Sequence, residues 1–184
     1  QGEPPVGFPE YLRSGHFLSI TAENWESEFL QMPMYVVFTT FLYQRGSSES
    51  KDPDPDAEYD PVDRDPRLSR RPDAPWPVRR GGIALAIYQY SLSLAFLALF
   101  LLSFALHATG SLRDLKSELQ AKGEPVESMS EYLRSARLWH ESFQNWQSEF
   151  LSLGAMAVLS IYLRHKGSPE SKPVDAPHRQ TGSD

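Results

Sequence analysis

Cysteine is missing from all 184 residues, which removes disulfides, thiolate nucleophiles and cysteine-based zinc sites together. Positive charge is also in short supply. Eighteen Lys and Arg stand against 24 Asp and Glu, a net charge of -6, so no nucleic-acid partner is expected. No phosphate-binding loop and no nucleophile elbow occurs. Nothing ahead of Gly2 resembles a secretory signal and residue 1 is Gln rather than Met, so the chain reads as a fragment or a processed product. Charge of either sign is absent over long stretches. From Gly81 to Leu112 there is no Asp, Glu, Lys or Arg, and shorter uncharged stretches lie between Glu28 and Arg45 and between Glu149 and Arg164.

Apolar residues are therefore gathered in blocks, and mean hydropathy falls below zero only because charged segments separate them. The block from about 83 to 109 exceeds the ~20 apolar residues needed to cross a hydrocarbon core. It is apolar on every face, unlike the core helix of a water-soluble domain. A transmembrane helix is expected there. The runs at about 29–44 and 150–165 are shorter. Trp25 and Trp146 precede them, Tyr43 and Tyr162 lie near their ends, and basic residues close them, as at a membrane interface. Short spans are expected, with re-entrant or interfacial helices as the alternative.

These two runs belong to a duplication. Residues 2–51 align without a gap on 123–172, with about 21 identities in 50 positions, far above chance. Shared anchors are Gly-Glu-Pro, Glu-Tyr-Leu-Arg-Ser, Asn-Trp-x-Ser-Glu-Phe-Leu and Gly-Ser-x-Glu-Ser-Lys. A heptad-like stripe runs through Tyr132, Ala136, Trp139, Phe143, Trp146 and Phe150, and through Tyr11, Gly15, Leu18, Ala22, Trp25 and Phe29 in the first copy. Such spacing marks one helix face. Amphipathic helices are expected at about 9–28 and 129–149, the second opened by a Ser128-x-x-Glu131 capping box and the first by Gly7 and Pro9.

The fold expected is all-α and membrane-embedded: a tandem repeat of amphipathic helix plus short transmembrane helix, with one long membrane helix between the copies. Residues 1–51 form copy one, 52–82 a disordered Pro/Asp/Arg linker, 83–172 the long helix and copy two, and 173–184 a flexible tail. The second copy has a leading helix that the first lacks, so an N-terminal membrane helix is inferred to be missing. Arginines crowd the linker and further basic residues the tail, so both are expected in the cytoplasm of a multi-pass inner-membrane protein.

The segments Glu10-Tyr-Leu-Arg-Ser-Gly-His-Phe17, Glu23-Asn-Trp-Glu-Ser-Glu-Phe-Leu-Gln-Met32 and Gly167-Ser-Pro-Glu-Ser-Lys-Pro173 resemble an uncharacterised family of small bacterial membrane proteins, labelled as a domain of unknown function. The resemblance covers nearly the whole chain except the linker. It implies four membrane helices, the first absent here, and transfers no functional residue.

Chemistry is sparse. Glu28 and Glu149 hold equivalent repeat positions at the lip of the short helices, where an ionisable group is a candidate proton or cation site; reaching the headgroup region, or favouring the helix start electrostatically, is the plainer explanation. Pro33 and Gly154 are equivalent kink positions. Trp25, Trp146 and Trp139 are read as interfacial aromatics. His16 and His140 lack a third metal ligand, and His107 is placed at the end of the long helix, where a cation suits the dipole. Asp52, Asp54, Asp56, Asp60 and Asp63 mimic a calcium loop, but Ala57 replaces its glycine and prolines interrupt it. Ser48-x-x-Lys51 matches a penicillin-recognising motif by letters only. No catalytic residue, metal site or cofactor is expected. The expected role is a non-catalytic membrane scaffold or accessory subunit, with the lipid bilayer, a membrane-protein partner or a second copy as partners. The alternative is a small proton- or cation-coupled transporter.

Overall fold

A computed structural model describes residues 7–51, 65–68 and 71–182. The Asp52–Asp63 spacing and Arg70 lie outside the described residues, as does the first part of the expected linker. Helices account for 66 % of the described residues, and there is no strand among them. In order they are α1 (Phe8–Tyr11), α2 (Gly15–Phe38), α3 (Trp76–Arg80), α4 (Gly82–Tyr88), α5 (Ser91–Lys122), α6 (Met129–Tyr132) and α7 (Ala136–Tyr162), with a 3-10 turn at Pro66–Leu68.

The shared Glu-Tyr-Leu-Arg-Ser motif accounts for the first departure from expectation. Each copy starts with a four-residue helix, α1 or α6, that stops at the motif before the long helix begins. Ser14 Oγ accepts from the Phe17 amide at 3.0 Å, and Ser135 Oγ from the Leu138 amide at 3.5 Å. A serine side chain that satisfies a free amide in this way starts a new helix. The capping box at Ser128 and Glu131 is present in full. Downstream, amphipathic and apolar segments join into single helices. α2 has 24 residues and α7 has 27, about 36 and 40 Å at 1.5 Å per residue. Pro33 is accommodated inside α2.

The long apolar helix also differs from its expected limits. It breaks between Tyr88 and Ser91, which nothing in the local sequence explains, and then runs to Lys122 rather than stopping near Thr109. Leu112 and Leu115 continue the packed face, and Lys122 pairs with Glu118 at 2.6 Å one turn back. Gly123, at φ 72°, ends the helix. Its amide donates to Gln120 O at 3.2 Å and the Glu124 amide to Leu119 O at 2.9 Å, the bond pair of a Schellman stop. By length and composition α5 can cross a membrane, and only 17 % of its most apolar window is buried. A core helix of a water-soluble protein would be mostly covered.

The chain divides into two compact units. The first is Gln1–Met32 with Phe96–Phe150; the second is Pro33–Ala95 with Leu151–Asp184. In the first, Ala108, Leu112, Tyr132 and Leu138 form a small apolar core flanked by Phe104, Leu115 and Met129. In the second, the segment after α7 is fastened rather than loose. The Lys172 ammonium is buried and donates to the carbonyls of Gly46 at 2.6 Å, Gln180 at 2.9 Å and His178 at 3.0 Å. Gly46 and Gly182 amides add bonds to Thr181 Oγ1 and Ser47 O, each 3.0 Å. An ammonium carries three protons that need acceptors when water is excluded, which is why residues 173–182 differ from the expected flexible tail.

Candidate functional site

Two glycines prepare the site in the first unit. A Cβ on Gly110 would lie 2.7 Å from the Ser19 amide nitrogen, and one on Gly15 would lie 2.9 Å from Gly110 O. The backbones of α2 and α5 therefore touch where a side chain would hold them apart. Small residues at this spacing, Gly15, Ser19 and Ala22 on one helix and Ser103, Gly110 and Ser111 on the other, are all buried. Close approach through small residues is how helices associate in lipid.

The same faces carry Glu26 and His107, both fully buried. His107 Nδ1 lies 2.6 Å from Glu26 Oε2, and Nε2 lies 3.4 Å from Glu141 Oε2 on α7. Glu141 also accepts from Ser111 Oγ at 2.8 Å and from Arg137 Nε at 3.1 Å. Ser111 and Tyr132 hydroxyls are hydrogen-bonded to each other. A ring with a carboxylate oxygen at each nitrogen must donate from both, as imidazolium, unless one carboxyl carries the proton instead. Either way the triad Glu26–His107–Glu141 holds one mobile proton.

Its two ends differ. The Glu141 side chain keeps 26 % of its surface exposed, whereas Glu26 keeps none. Glu26 Oε1 and Ser142 Oγ, both buried, have no hydrogen-bond partner among the described residues. Such groups are rare in proteins and call for a reason. Glu23 is close by and half-buried. Its carboxyl lies near those of Glu26 and Glu141 and near the His107 ring. Three carboxyls thus face two cations, His107 and Arg137, so full ionisation leaves one uncompensated negative charge.

The residues singled out from the sequence lie elsewhere. Glu28 is exposed; Glu149 is half-buried, and its carbonyl accepts from Gln31 Nε2 at 3.0 Å. The buried acid is Glu26, two residues before Glu28. Gly154 is exposed, with open space where a Cβ would be, and Pro33 is buried. Trp25 and Trp139 are exposed. Trp146 is half-buried in a circuit of rings with Phe143, Trp139, Phe104 and Phe100, at centroid distances of 5.1–6.2 Å. His16 Nδ1 faces Asp114 Oδ2 at 3.4 Å, and His140 is exposed. No group of three His, Cys, Asp or Glu is set to hold a metal ion among the described residues. His107 is not at a helix end, since α5 continues to Lys122. The heptad-like stripe is only partly inward: Tyr132, Gly15 and Ala22 are buried, whereas Trp139 and Phe143 face out beside buried Leu138 and Ser142. The signal available in sequence was the small-residue spacing that includes Glu26 and His107.

Among known protein families, a profile described as a domain of unknown function, DUF6766, matches residues 1–183. No curated protein and no solved structure matches significantly.

Proposed function

This chain belongs to the DUF6766 family, and from that premise we propose that it is a multi-pass membrane protein that moves protons through the Glu26–His107–Glu141 triad, as a small proton-coupled transporter. The carrying observation is the fully buried His107 set between a buried acid with an unpaired oxygen and a partly exposed acid. Ionisable side chains at membrane depth are costly and cluster on proton pathways.

The membrane setting is supported by an inverted distribution of polarity. Glu26, Ser27, Gln31, Ser103, His107, Ser111 and Ser142 are buried, while Leu92, Leu97, Leu101, Leu102, Phe143, Leu151 and Leu159 are exposed. Apolar groups turned outward along so much of α5 and α7 support an apolar surrounding. α2 and α7 serve as further spans on this reading, and the basic residues beyond their C-terminal ends orient those ends to the cytoplasm. The repeated cap and turn hydrogen bonds of the two copies agree with a duplicated helix pair.

A proton enters at the exposed carboxyl of Glu141. Its O–H bond breaks as His107 Nε2–H forms; His107 Nδ1–H breaks as the Glu26 Oε2–H forms. One proton moves inward, and the ring, neutral before and after, passes from its Nδ1–H to its Nε2–H tautomer. Liposomes containing the purified chain, loaded with a pH-sensitive dye and given a pH gradient with a potassium ionophore, report the flux. Wild type is expected to exceed empty liposomes. Glu26→Gln and His107→Gln should each lose at least about tenfold, the scale of one removed acid–base group. Folded wild type with no flux above empty liposomes overturns the relay. That outcome favours the second reading, a scaffold or accessory subunit, which rests on the exposed edges of Trp139 and Phe143.

A further inference from the structure

Immediately after α7 the chain builds a basic cavity that the relay does not use. Arg164 Nη1 donates to the last carbonyls of the helix, Ser160 and Ile161 at 3.2 Å and Leu163 at 2.8 Å. The turn that follows closes on itself. The His165 amide donates to Ser171 Oγ at 3.0 Å and the Glu170 amide to Ser168 Oγ at 3.2 Å. An open cavity of about 810 Å³ remains, lined among others by His165, Lys166, Ser168, Ser171, Pro173 and Val174.

Its charge is one-sided. Residues 164–179 hold Arg164, Lys166, Lys172 and Arg179 against Glu170 and Asp175. Lys172 and Arg164 spend their protons on backbone carbonyls, and neither Glu170 nor Asp175 is among the lining residues. Lys166 and His165 are exposed on the cavity wall, and neither has a carboxylate within ion-pair distance among the described residues. Pro173 and Val174 supply apolar surface on the same wall, and Tyr162 and Leu163 are exposed at the end of α7 just before His165. Cations next to an apolar shelf at a helix end match the two halves of an anionic lipid, phosphate and acyl chain. The volume lies within the range of small-molecule sites.

We propose that this cavity binds the headgroup of an anionic phospholipid, with Lys166 and His165 on the phosphate and Tyr162, Leu163 and Val174 along the chain. The inference rests on the membrane reading above but not on proton movement. Thermal unfolding of the full chain in neutral detergent, titrated with dioctanoyl phosphatidylglycerol, dioctanoyl phosphatidylcholine or inorganic phosphate, tests it. Phosphatidylglycerol is expected to give a saturable rise in midpoint, phosphatidylcholine and phosphate none. Paired His165→Gln and Lys166→Gln should weaken the apparent affinity at least about fivefold, the value of one basic group at a charged surface, and Lys166→Arg should retain it. Both side chains are exposed, so helical circular dichroism should be unchanged. An equal response to phosphatidylcholine rejects the headgroup site and leaves the membrane reading standing. No response to either lipid rejects the site too. A matching response to phosphate assigns the cavity to a soluble anion instead, and an unchanged double variant rejects Lys166 and His165.

Discussion

Glu26→Leu is expected to destabilise the folded chain by about 3–5 kcal/mol, the usual cost of removing one member of a buried ion pair. Leucine has nearly the volume of the glutamate side chain, so no large cavity contributes. What remains is His107 Nδ1, fully buried and 2.6 Å from the oxygen that is lost. Its N–H then faces a hydrocarbon side chain with no water to replace the acceptor. The companion variant His107→Leu strands Glu26 in the same way. The double variant is expected to be less destabilised than the sum, because two apolar side chains facing each other leave no buried charge. A double-mutant cycle, read by unfolding in mixed micelles, measures the coupling. Coupling below about 0.5 kcal/mol, within ordinary additivity error, would mean that the pair is not the buried contact described here.

The second large effect concerns the sign of one substitution at two glycines. Gly110→Ala is expected to destabilise by about 1–3 kcal/mol, the range for overpacking, because its Cβ would lie 2.7 Å from the Ser19 backbone nitrogen. Backbone cannot swing aside as a side-chain tip can. Gly154→Ala, inside α7 with open space at the Cβ position, is expected to stabilise by about 0.5–1 kcal/mol through helix propensity alone. Opposite signs in the same assay establish that Gly110 is a contact between helices. Gly110→Ala should also reduce proton flux on the relay reading, since the contact it disturbs brings Glu26 to His107. Equal signs at the two positions would remove the close approach from the argument.

When residues 2–51 are laid on 123–172, the acids of the triad fall at positions that do not match. Glu26 corresponds to Gln147 in copy two, and Glu141 to Ile20 in copy one. The positions the copies share instead hold local structure: Ser14 and Ser135 start helices, and Ser50 and Ser171 accept the amides of Gln44 and His165. Looking for function in the matched pair Glu28 and Glu149 therefore led to positions that are exposed or half-buried. The matched serines make local hydrogen bonds, whereas Glu26 and Glu141 meet at one site that needs different residues from the two segments.

Local chemistry was readable from the sequence: that the chain is helical, that one segment has the length and composition to cross a membrane, and where Ser128 and Glu131 cap a helix. These follow from side-chain volume, hydropathy and hydrogen-bonding capacity over a few residues. Tertiary structure decided which glycine stops a helix and which lets two helices touch, since Gly123 and Gly110 differ only in what lies beside them. It also decided that Glu26, rather than Glu28, turns inward. A helix advances 100° per residue, so two positions separate a buried carboxyl from an exposed one, and only the neighbouring helices define which direction is inside.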